Sequence, residues 1–239
     1  MRYIFILLVL FLLNCENNST QKQNRPSIAQ QQATVSLDTQ AQILTKHSPE
    51  SSIDYDTSLW TDIARLDERI QFDIRYATDN NFVDEQLYEC PRCFLRPDAA
   101  AALLKVHDEL IKAGYGLKLF DCYRPLTIQK RLWEKVPNAS YVTPPKKGSM
   151  HNRGFAVDAT LVDSLGVVLD MGTAFDFFGR KAHHDFYDLD KAILNRRKML
   201  KEAMAKFGFK HIRTEWWHYS FKGPYTSPFK LADFQWECE

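Results

Sequence analysis

The sequence has no excess of charge of either sign, no glycine-rich phosphate loop and no apolar run long enough for a transmembrane helix. Its 239 residues include 31 Lys and Arg against 30 Asp and Glu, so the net charge at pH 7 is +1 with neutral histidines. Such a chain has no general electrostatic attraction to nucleic acid or to anionic membranes, and it carries no basic stripe with interleaved aromatics. We therefore expect no nucleic-acid partner.

A short apolar run from Tyr3 to Leu13 follows Arg2. A positive residue before an apolar region is typical of an export signal, whereas a transmembrane helix needs about 20 apolar residues. We predict a signal peptide at residues 1–14. Asn14 and Cys15 then resemble a bacterial lipoprotein box, although Asn14 stands where a small residue is usual. We expect a lipid anchor at Cys15 on a protein exported to the periplasm or cell envelope; the alternative is an ordinary signal peptide cut after Asn14.

Residues 16–52 contain few aromatic side chains and are rich in Gln, Asn, Ser and Thr. Such a segment cannot bury enough apolar surface to offset the conformational entropy lost on folding. We predict a flexible tether over residues 15–52 and a folded domain over residues 53–239. The chain is 45% hydrophobic and 13% aromatic, which is ample material for one core.

The five cysteines include a single Cys-x-x-Cys motif, at Cys90 and Cys93. A zinc knuckle requires a second such pair, so this motif does not complete one. If Cys15 carries lipid, four cysteines remain, and an even number in an exported chain favours disulfides. Cys90, Cys93, Cys122 and Cys238 allow three connectivities, among which we favour Cys93 with Cys122.

Residues 149–160 combine two metal-ligand side chains with the alternating pattern of a strand. His151 lies in the loop that leads into the strand, and Asp158 projects from one face of it. A buried carboxylate without a partner is very costly, and the spacing suggests that the partner is a metal ion. Taken alone, the segment also fits a turn histidine and a salt-bridged aspartate.

A second, aromatic segment at residues 214–221 carries Glu215 and His218. A catalytic zinc ion keeps about three protein ligands and an open position for water. His151, Asp158 and His218 would supply those ligands. Glu215 would take a proton from the water as general base. Because residues three apart point to opposite faces of an ideal strand, Glu215 and His218 share a cleft only if the strand bends or ends between them. The alternative is an aromatic core strand with an edge ion pair.

Together these segments resemble the VanX-type D-alanyl-D-alanine dipeptidases, which are related to zinc D-Ala-D-Ala carboxypeptidases and to the hedgehog domain. The family pattern Ser-x-His-x-x-Gly-x-Ala-x-Asp is met at residues 149–158, and its Glu-x-x-His at residues 215–218. The Tyr-Arg-Pro segment is met at residues 123–125, and the loop after the first metal motif at residues 171–177. Four motifs in the family's order make the resemblance strong from Asp67 to Phe221.

The resemblance implies roles for further side chains. Arg124 would hold the oxyanion of the tetrahedral intermediate, since a guanidinium is permanently charged and its donors spread in a plane. A structural ion pair with Asp121 is the alternative for Arg124. Asp176 and Ser149 would bind the free ammonium group of the dipeptide. Tyr76 and Tyr88 would line the same pocket. In the alternative interpretation, both are core aromatics.

Strands joined by turns, with helices in separate blocks, predict an α+β fold with a mainly antiparallel sheet, in keeping with the hedgehog and D,D-peptidase-like zinc fold. Asp98 is predicted as the N-cap of a helix over residues 99–113, which Gly114 ends. Residues 163–166 predict a hairpin turn. The other predicted elements are strands over residues 69–76, 117–123 and 214–221 and helices over residues 126–136 and 190–207.

These features predict hydrolysis of D-alanyl-D-alanine dipeptide in cell-wall peptide metabolism, with one zinc ion per chain and a small D,D-dipeptide as substrate. One alternative is a D,D- or L,D-carboxypeptidase that trims longer peptidoglycan peptides on the same scaffold. Another is a non-catalytic binding module that keeps the zinc site. Glu215 and Arg124 argue against the last alternative, because a structural zinc ion needs neither a base nor an oxyanion donor.

Overall fold

The computed structural model describes residues 53–223 and 230–238. The predicted signal peptide and the whole predicted tether, including Cys15, lie outside these ranges. Within them, no helix combines the length and the apolar composition that crossing a membrane requires.

Four α-helices and seven β-strands occur in the described residues. The helices are α1 (Ile63–Leu66), α2 (Pro97–Lys112), α3 (Leu126–Lys135) and α4 (Lys191–Lys206). The strands are β1 (Thr61–Asp62), β2 (Gln71–Phe72), β3 (Phe94–Leu95), β4 (Tyr115–Asp121), β5 (Ala156–Asp163), β6 (Phe209–Ile212) and β7 (Glu215–Phe221).

Five strands form the central sheet in the order β2-β4-β5-β7-β6, and β1 pairs separately with β3. The β2–β4 pair is parallel, whereas the β4–β5, β5–β7 and β6–β7 pairs are antiparallel. The predicted α+β fold with a mainly antiparallel sheet is therefore confirmed. Helix α2 packs on β4, and α4 packs on α2 and β6. The central strand β5 is buried along almost its whole length, so each polar side chain on it needs a partner.

Helix α2 begins at Pro97, and the prediction of Asp98 as its N-cap is wrong. Proline suits the first helical position because it has no N–H to satisfy there and its φ is already helical. Asp98 lies in the first turn, where its negative charge interacts favourably with the helix dipole. The predicted end is confirmed, since the helix runs to Lys112 and Gly114 has a φ of +83°.

The strand predicted over residues 69–76 is wrong for most of its length. Strand β2 contains two residues, and the chain then turns at residues 75–77. The carbonyl oxygen of Tyr76 accepts hydrogen bonds from the backbone N–H groups of Leu87 and Tyr88, both at 2.8 Å. These bonds tie Tyr76 to the following loop, so the alternating pattern does not continue into the sheet.

The hairpin turn predicted at residues 163–166 is confirmed, because the backbone N–H of Asp163 donates to the carbonyl oxygen of Val167 at 2.9 Å. The other predicted elements are confirmed with ends that shift by two residues or fewer: the strands over 117–123 and 214–221 as β4 and β7, and the helices over 126–136 and 190–207 as α3 and α4.

Disulfides join Cys93 to Cys122 and Cys90 to Cys238. The favoured pairing of Cys93 with Cys122 is confirmed, and the Cys-x-x-Cys motif supplies one sulfur atom to each bond. Cys122 directly follows β4, so its bond to Cys93 restrains the segment that carries Arg124.

The segment at residues 230–238 holds two functional loops together. The N–H of Ala232 donates to the carbonyl oxygen of Asn152 at 2.8 Å, next to His151. The carbonyl oxygen of Ala232 accepts from the N–H of Leu126, at the start of α3, at 3.1 Å. The segment also packs on a buried aromatic cluster formed by Trp60, Phe94 and Tyr123.

Candidate active site

Three predicted ligands meet at the centre of the sheet. Asp158 on β5 and His218 on β7 are register partners, so their side chains project from the same face. His151 reaches them from a short 3-10 turn. The Nε2 atom of His151 lies 3.1 Å from Nδ1 of His218 and 3.4 Å from Oδ1 of Asp158. All three side chains are buried, and their ligand atoms lie within 4.8 Å of one another.

The chemistry of this cluster fits a divalent metal ion. Two imidazoles and one carboxylate form a ligand set that zinc uses at catalytic sites. The ring nitrogens of His151 and His218 face each other and the same carboxylate, an arrangement that a cation between them stabilises. Burial raises the pKa of Asp158, but the charges and hydrogen bonds of His151 and His218 outweigh burial and hold this pKa below its ordinary value. The cluster is a possible His-Asp-His metal site.

A hydrogen bond on the far side of the His151 ring selects the tautomer that a metal ligand needs, and the partner of His218 is compatible with that tautomer. Nδ1 of His151 lies 2.6 Å from the carbonyl oxygen of Cys122, which can only accept a hydrogen bond. Nε2 of His218 lies 3.0 Å from the hydroxyl oxygen of Ser220. A neutral imidazole has one N–H and one lone pair. The Cys122 carbonyl therefore leaves the lone pair of His151 Nε2 directed at the cluster, and a Ser220 hydroxyl that accepts from Nε2 of His218 leaves the lone pair of Nδ1 directed there as well.

Glu215 and His218 line the same cavity because the register of β7 is irregular between them. The pair His211–Tyr219 is followed directly by the pair Ile212–Glu215, so three residues of β7 are skipped in the pairing with β6. Extra residues in one strand of an antiparallel pair bend that strand. This is the bend that the spacing of Glu215 and His218 requires.

The carboxyl group of Glu215 is positioned to accept a proton. Burial raises its pKa above the ordinary value, although the neighbouring His218 lowers it and Asp158 raises it. A carboxylate with a raised pKa is a better proton acceptor near neutral pH. Glu215 and the metal cluster line one cavity of about 650 Å³.

Arg124 is buried, forms the predicted ion pair with Asp121 and lines the cavity. Its Nε and Nη2 atoms donate to Oδ2 of Asp121 at 3.1 and 2.7 Å, and Nη1 donates to Oε1 of Gln129 at 3.0 Å. These bonds use three of the five N–H groups of a guanidinium. Arg124 also lines the cavity, so the ion pair with Asp121 leaves donors for a substrate oxygen.

Asp121 is a site residue that the sequence pattern suggested only as a structural partner of Arg124. It is fully buried, and its Oδ1 atom accepts from the hydroxyl group of Tyr88 at 2.8 Å. Tyr88 is absent from the described residues that line the cavity, so its predicted place in the pocket is corrected. The Tyr88 hydroxyl lies behind the cavity wall, where it orients the carboxylate that holds Arg124.

Asp176 and Tyr76 meet inside the cavity. The hydroxyl group of Tyr76 donates to Oδ2 of Asp176 at 3.0 Å, and both residues line the cavity. Asp176 has a φ of +57°, a region that few residues other than glycine adopt but that Asp tolerates. Burial raises the pKa of Asp176, and the charges of Asp158 and Glu215 raise it further. A bound ammonium group would lower the pKa of Asp176 again, because a nearby positive charge favours the ionised carboxylate.

Ser149 lines the same cavity and is held by a residue that the motifs did not assign. The backbone N–H and the hydroxyl group of Ser149 donate to Oδ1 of Asn152 at 2.8 and 3.1 Å. The side-chain amide of Asn152 in turn donates to the carbonyl oxygen of Arg124 at 2.8 Å. Asn152 is fully buried and therefore fixes the Ser149 loop relative to the Arg124 segment.

Comparisons with known proteins agree with this geometry. The peptidase family M15, described as D-Ala-D-Ala dipeptidase, matches residues 56–235. The D-alanyl-D-alanine dipeptidase of Escherichia coli is 34% identical over 183 residues, which cover 77% of this chain and 94% of that protein. The corresponding enzyme of Streptomyces coelicolor is 31% identical over 67% of this chain and 92% of that protein. The enzyme of Enterococcus faecalis is 29% identical over 63% of this chain and 85% of that protein. This chain therefore belongs to the D-Ala-D-Ala dipeptidase family of metallopeptidases, family M15.

Proposed function

We propose that this chain hydrolyses D-alanyl-D-alanine to two molecules of D-alanine in cell-wall peptide metabolism, with one zinc ion held by His151, Asp158 and His218. Membership of the family supports the reaction, and the buried His-Asp-His cluster supports the cofactor. A zinc ion at this position would polarise the peptide carbonyl and lower the pKa of a water molecule.

Glu215 acts as the general base in this proposal. Its carboxylate takes a proton from the attacking water, whose oxygen forms a bond to the scissile carbonyl carbon. The C–N bond then breaks, and the proton on Glu215 passes to the departing amine. The raised pKa of Glu215 and its position in the cavity of the metal cluster support this role.

Arg124 stabilises the negative charge that develops on the carbonyl oxygen. A guanidinium that its own hydrogen bonds hold in place acts without reorganisation during the reaction, and this is the condition under which such donors are most effective. Asp121 holds the guanidinium in position through two hydrogen bonds.

The observation that supports a dipeptide as the substrate is the hydrogen bond between Tyr76 and Asp176, because it places a carboxylate in the cavity of the metal cluster. An ammonium group removed from water needs a carboxylate and hydrogen-bond acceptors to offset its lost hydration. Asp176 and the hydroxyl group of Ser149 provide them. An N-acylated peptide has no ammonium group, so it would leave Asp176 without its counter-ion.

The deciding experiment compares kcat/KM of the zinc-loaded protein on D-Ala-D-Ala, on N-acetyl-D-Ala-D-Ala and on a pentapeptide that ends in D-Ala-D-Ala. Losing one side of a buried charge pair costs about 2–5 kcal/mol, so we expect the free dipeptide to be preferred by about a hundredfold or more. L-Ala-L-Ala is the stereochemical control. Comparable values for the dipeptide and the pentapeptide would favour the carboxypeptidase, and absence of any hydrolysis would favour the binding module.

Metal analysis tests the cofactor separately. We expect about one zinc ion per chain, as one three-ligand site would hold. His151→Ala, Asp158→Ala and His218→Ala should each lower the zinc content sharply. An unchanged zinc content in all three variants would exclude this cluster as the site.

We further propose that residues 1–14 direct export, that Cys15 carries a lipid and that residues 15–52 tether a domain over residues 53–239. The apolar run and the composition of the tether support this arrangement. The wild-type protein should partition into a detergent phase, and Cys15→Ser should move it to the aqueous phase. Recovery of unmodified wild-type protein in a soluble periplasmic fraction would favour plain secretion.

A further inference from the structure

The cavity carries different charges at its two ends along β7. Glu215 is the first residue of the strand. Asp176 is close enough that the charges of Glu215 and Asp158 raise its pKa. His218 follows in the middle of the strand, at the metal cluster. Lys222 comes directly after the strand and also lines the cavity. Along β7 the cavity lining therefore runs from an acidic residue through the metal cluster to a basic residue, and Lys147 and Arg153 line the cavity from the segment around His151.

Lys210 adds a second cation to the basic end. It lies opposite Ser220 in the β6–β7 register, and register partners project from the same face of a sheet. Because the hydroxyl group of Ser220 contacts His218, Lys210 lies on the cavity face. Its register partner Ser220 is two residues after His218 on β7, so Lys210 is displaced from His218 by about 7 Å along the strand direction. The N–H of Lys222 donates to the carbonyl oxygen of Gly208 at 2.9 Å, so the strand pair holds Lys222 as well.

Both lysines lack a carboxylate partner within the described part of the chain. Elsewhere a lysine such as Lys206 binds a carboxylate, Glu109, at 2.6 Å. No such ion pair involves Lys210 or Lys222 among residues 53–223 and 230–238. Both are exposed and both line the cavity. They therefore contribute positive charge to the cavity, and no carboxylate of the described residues pairs with either of them directly.

A zwitterionic dipeptide would use only part of this positive end. With the ammonium group at Asp176 and the scissile carbonyl at the metal cluster, the C-terminal residue extends toward Lys210 and Lys222. Its single carboxylate accounts for one lysine. The cavity volume of about 650 Å³ lies within the range of about 300–1,000 Å³ that small-molecule sites occupy, so a side chain longer than a methyl group has room.

We propose that Lys210 and Lys222 form a subsite for an acidic C-terminal residue, and that the enzyme also hydrolyses D-alanyl dipeptides that end in D-glutamate or D-aspartate. This inference rests on the proposed function, because the ammonium group must bind at the acidic end for the C-terminal residue to reach the lysines. One lysine pairs with the C-terminal carboxylate and the other with the side-chain carboxylate. Water is the only co-reactant, and the products are D-alanine and the acidic amino acid.

The test compares D-Ala-D-Glu with D-Ala-D-Gln, which has the same shape without the side-chain charge. Ion pairs with exposed lysines contribute modestly, so we expect kcat/KM of the zinc-loaded protein to be about three- to tenfold higher for D-Ala-D-Glu at low ionic strength. The ratio should fall toward one in about 0.5 M salt, because salt screens exposed charges.

Variants assign the preference to the two lysines. Lys210→Gln and Lys222→Gln should each lower the Glu-to-Gln ratio, and the double variant should bring it to about one. Lys112→Gln removes an exposed lysine at the end of α2, outside the cavity lining, and should leave the ratio unchanged. Zinc content is measured for every variant, so that a lost metal ion is not mistaken for a lost subsite.

A wild-type ratio of one or below would overturn the subsite, as would a ratio that survives the double substitution. If D-Ala-D-Ala itself is not hydrolysed, the proposed function fails. The subsite is then tested by measuring the binding of the two dipeptides. Calorimetry on the zinc-loaded protein should then give a lower Kd for D-Ala-D-Glu than for D-Ala-D-Gln, and Lys210→Gln should remove the difference. Equal Kd values in the wild type would reject the subsite.

Discussion

The Nε2 atom of His218 lies 3.0 Å from the hydroxyl oxygen of Ser220, two residues later on the same strand. Alternate residues of a strand share a face, so this contact follows from the regular geometry of β7 after its irregular segment. When the hydroxyl oxygen accepts this bond, the proton is on Nε2 and Nδ1 is free to bind a metal ion. Ser220 therefore contacts a proposed metal ligand and lines the same cavity.

Ser220→Ala should weaken zinc binding by about ten- to a hundredfold, the usual effect of losing a partner that orients a metal ligand. Competition with a chromophoric chelator measures the Kd for zinc. Ser164→Ala, in the exposed hairpin turn, is the matched control and should not change this Kd. Equal zinc affinity in Ser220→Ala and the wild type would remove Ser220 from the positioning role.

Glu215→Gln should retain zinc and lower kcat by about a hundredfold or more, because glutamine keeps the shape of the side chain but cannot accept the proton. Zinc content and kcat on D-Ala-D-Ala are measured on the same preparation. Glu202→Gln alters an exposed carboxylate on α4 and should leave both unchanged. A Glu215→Gln variant with wild-type kcat would show that another group is the base.

Arg124→Ala should lower both kcat and stability, because it removes the oxyanion donor and leaves the buried Asp121 unpaired. Breaking a buried ion pair typically costs about 3–5 kcal/mol in the free energy of unfolding. Arg124→Lys should recover part of the stability but little of the activity, since an ammonium group cannot bind Asp121 and a substrate oxygen in one plane. Urea unfolding and kcat are compared, and wild-type kcat in Arg124→Ala would contradict the assigned role.

Asp176→Asn should lower kcat/KM on D-Ala-D-Ala and narrow the preference for the dipeptide over N-acetyl-D-Ala-D-Ala. Asparagine tolerates the left-handed backbone of this position, so the substitution removes the charge with little backbone strain. The ratio of the two kcat/KM values is the measurement. A ratio equal to that of the wild type would mean that Asp176 does not bind the ammonium group.

Asp67→Asn should lower the free energy of unfolding by about 1–3 kcal/mol at pH 7, the usual range for a lost charged hydrogen bond. Hydrogen bonds from Arg69 hold the pKa of the buried Asp67 well below its ordinary value. The stabilisation is therefore present above about pH 4, near the pKa of an unfolded aspartate, and declines as the pH falls further.

Urea unfolding of the two proteins at pH 7 and pH 3, both with chelator, measures this difference. Asp108 also binds Arg69, at 2.9 Å, but its side chain is exposed. Asp108→Asn should therefore change stability by less than about 0.5 kcal/mol. A difference between Asp67→Asn and the wild type that stays constant with pH would contradict the assigned cause.

Residue types, their spacing and the order of the family motifs select His151, Asp158, Glu215 and His218 as candidates, because metal chemistry accepts few ligand types, and the structure places all four on one cavity. The helices α3 and α4 can also be predicted from the sequence, since apolar side chains repeat along them at the helical period. The end of the strand predicted over residues 69–76 cannot be predicted in this way. The backbone there forms hydrogen bonds with a loop that follows in the chain instead of with the sheet.

The arrangement that makes these residues a site depends on contacts between distant segments. Three skipped residues in the β6–β7 register bring Glu215 to the cavity that His218 lines, and this irregular pairing depends on contacts between two strands. The Tyr88 hydroxyl turned out to orient Asp121, which a sequence cannot reveal because the two residues lie on different segments. Composition and spacing thus predict which side chains are candidates for the chemistry. Backbone pairing between strands decides where each of them points, because strand pairing is non-local.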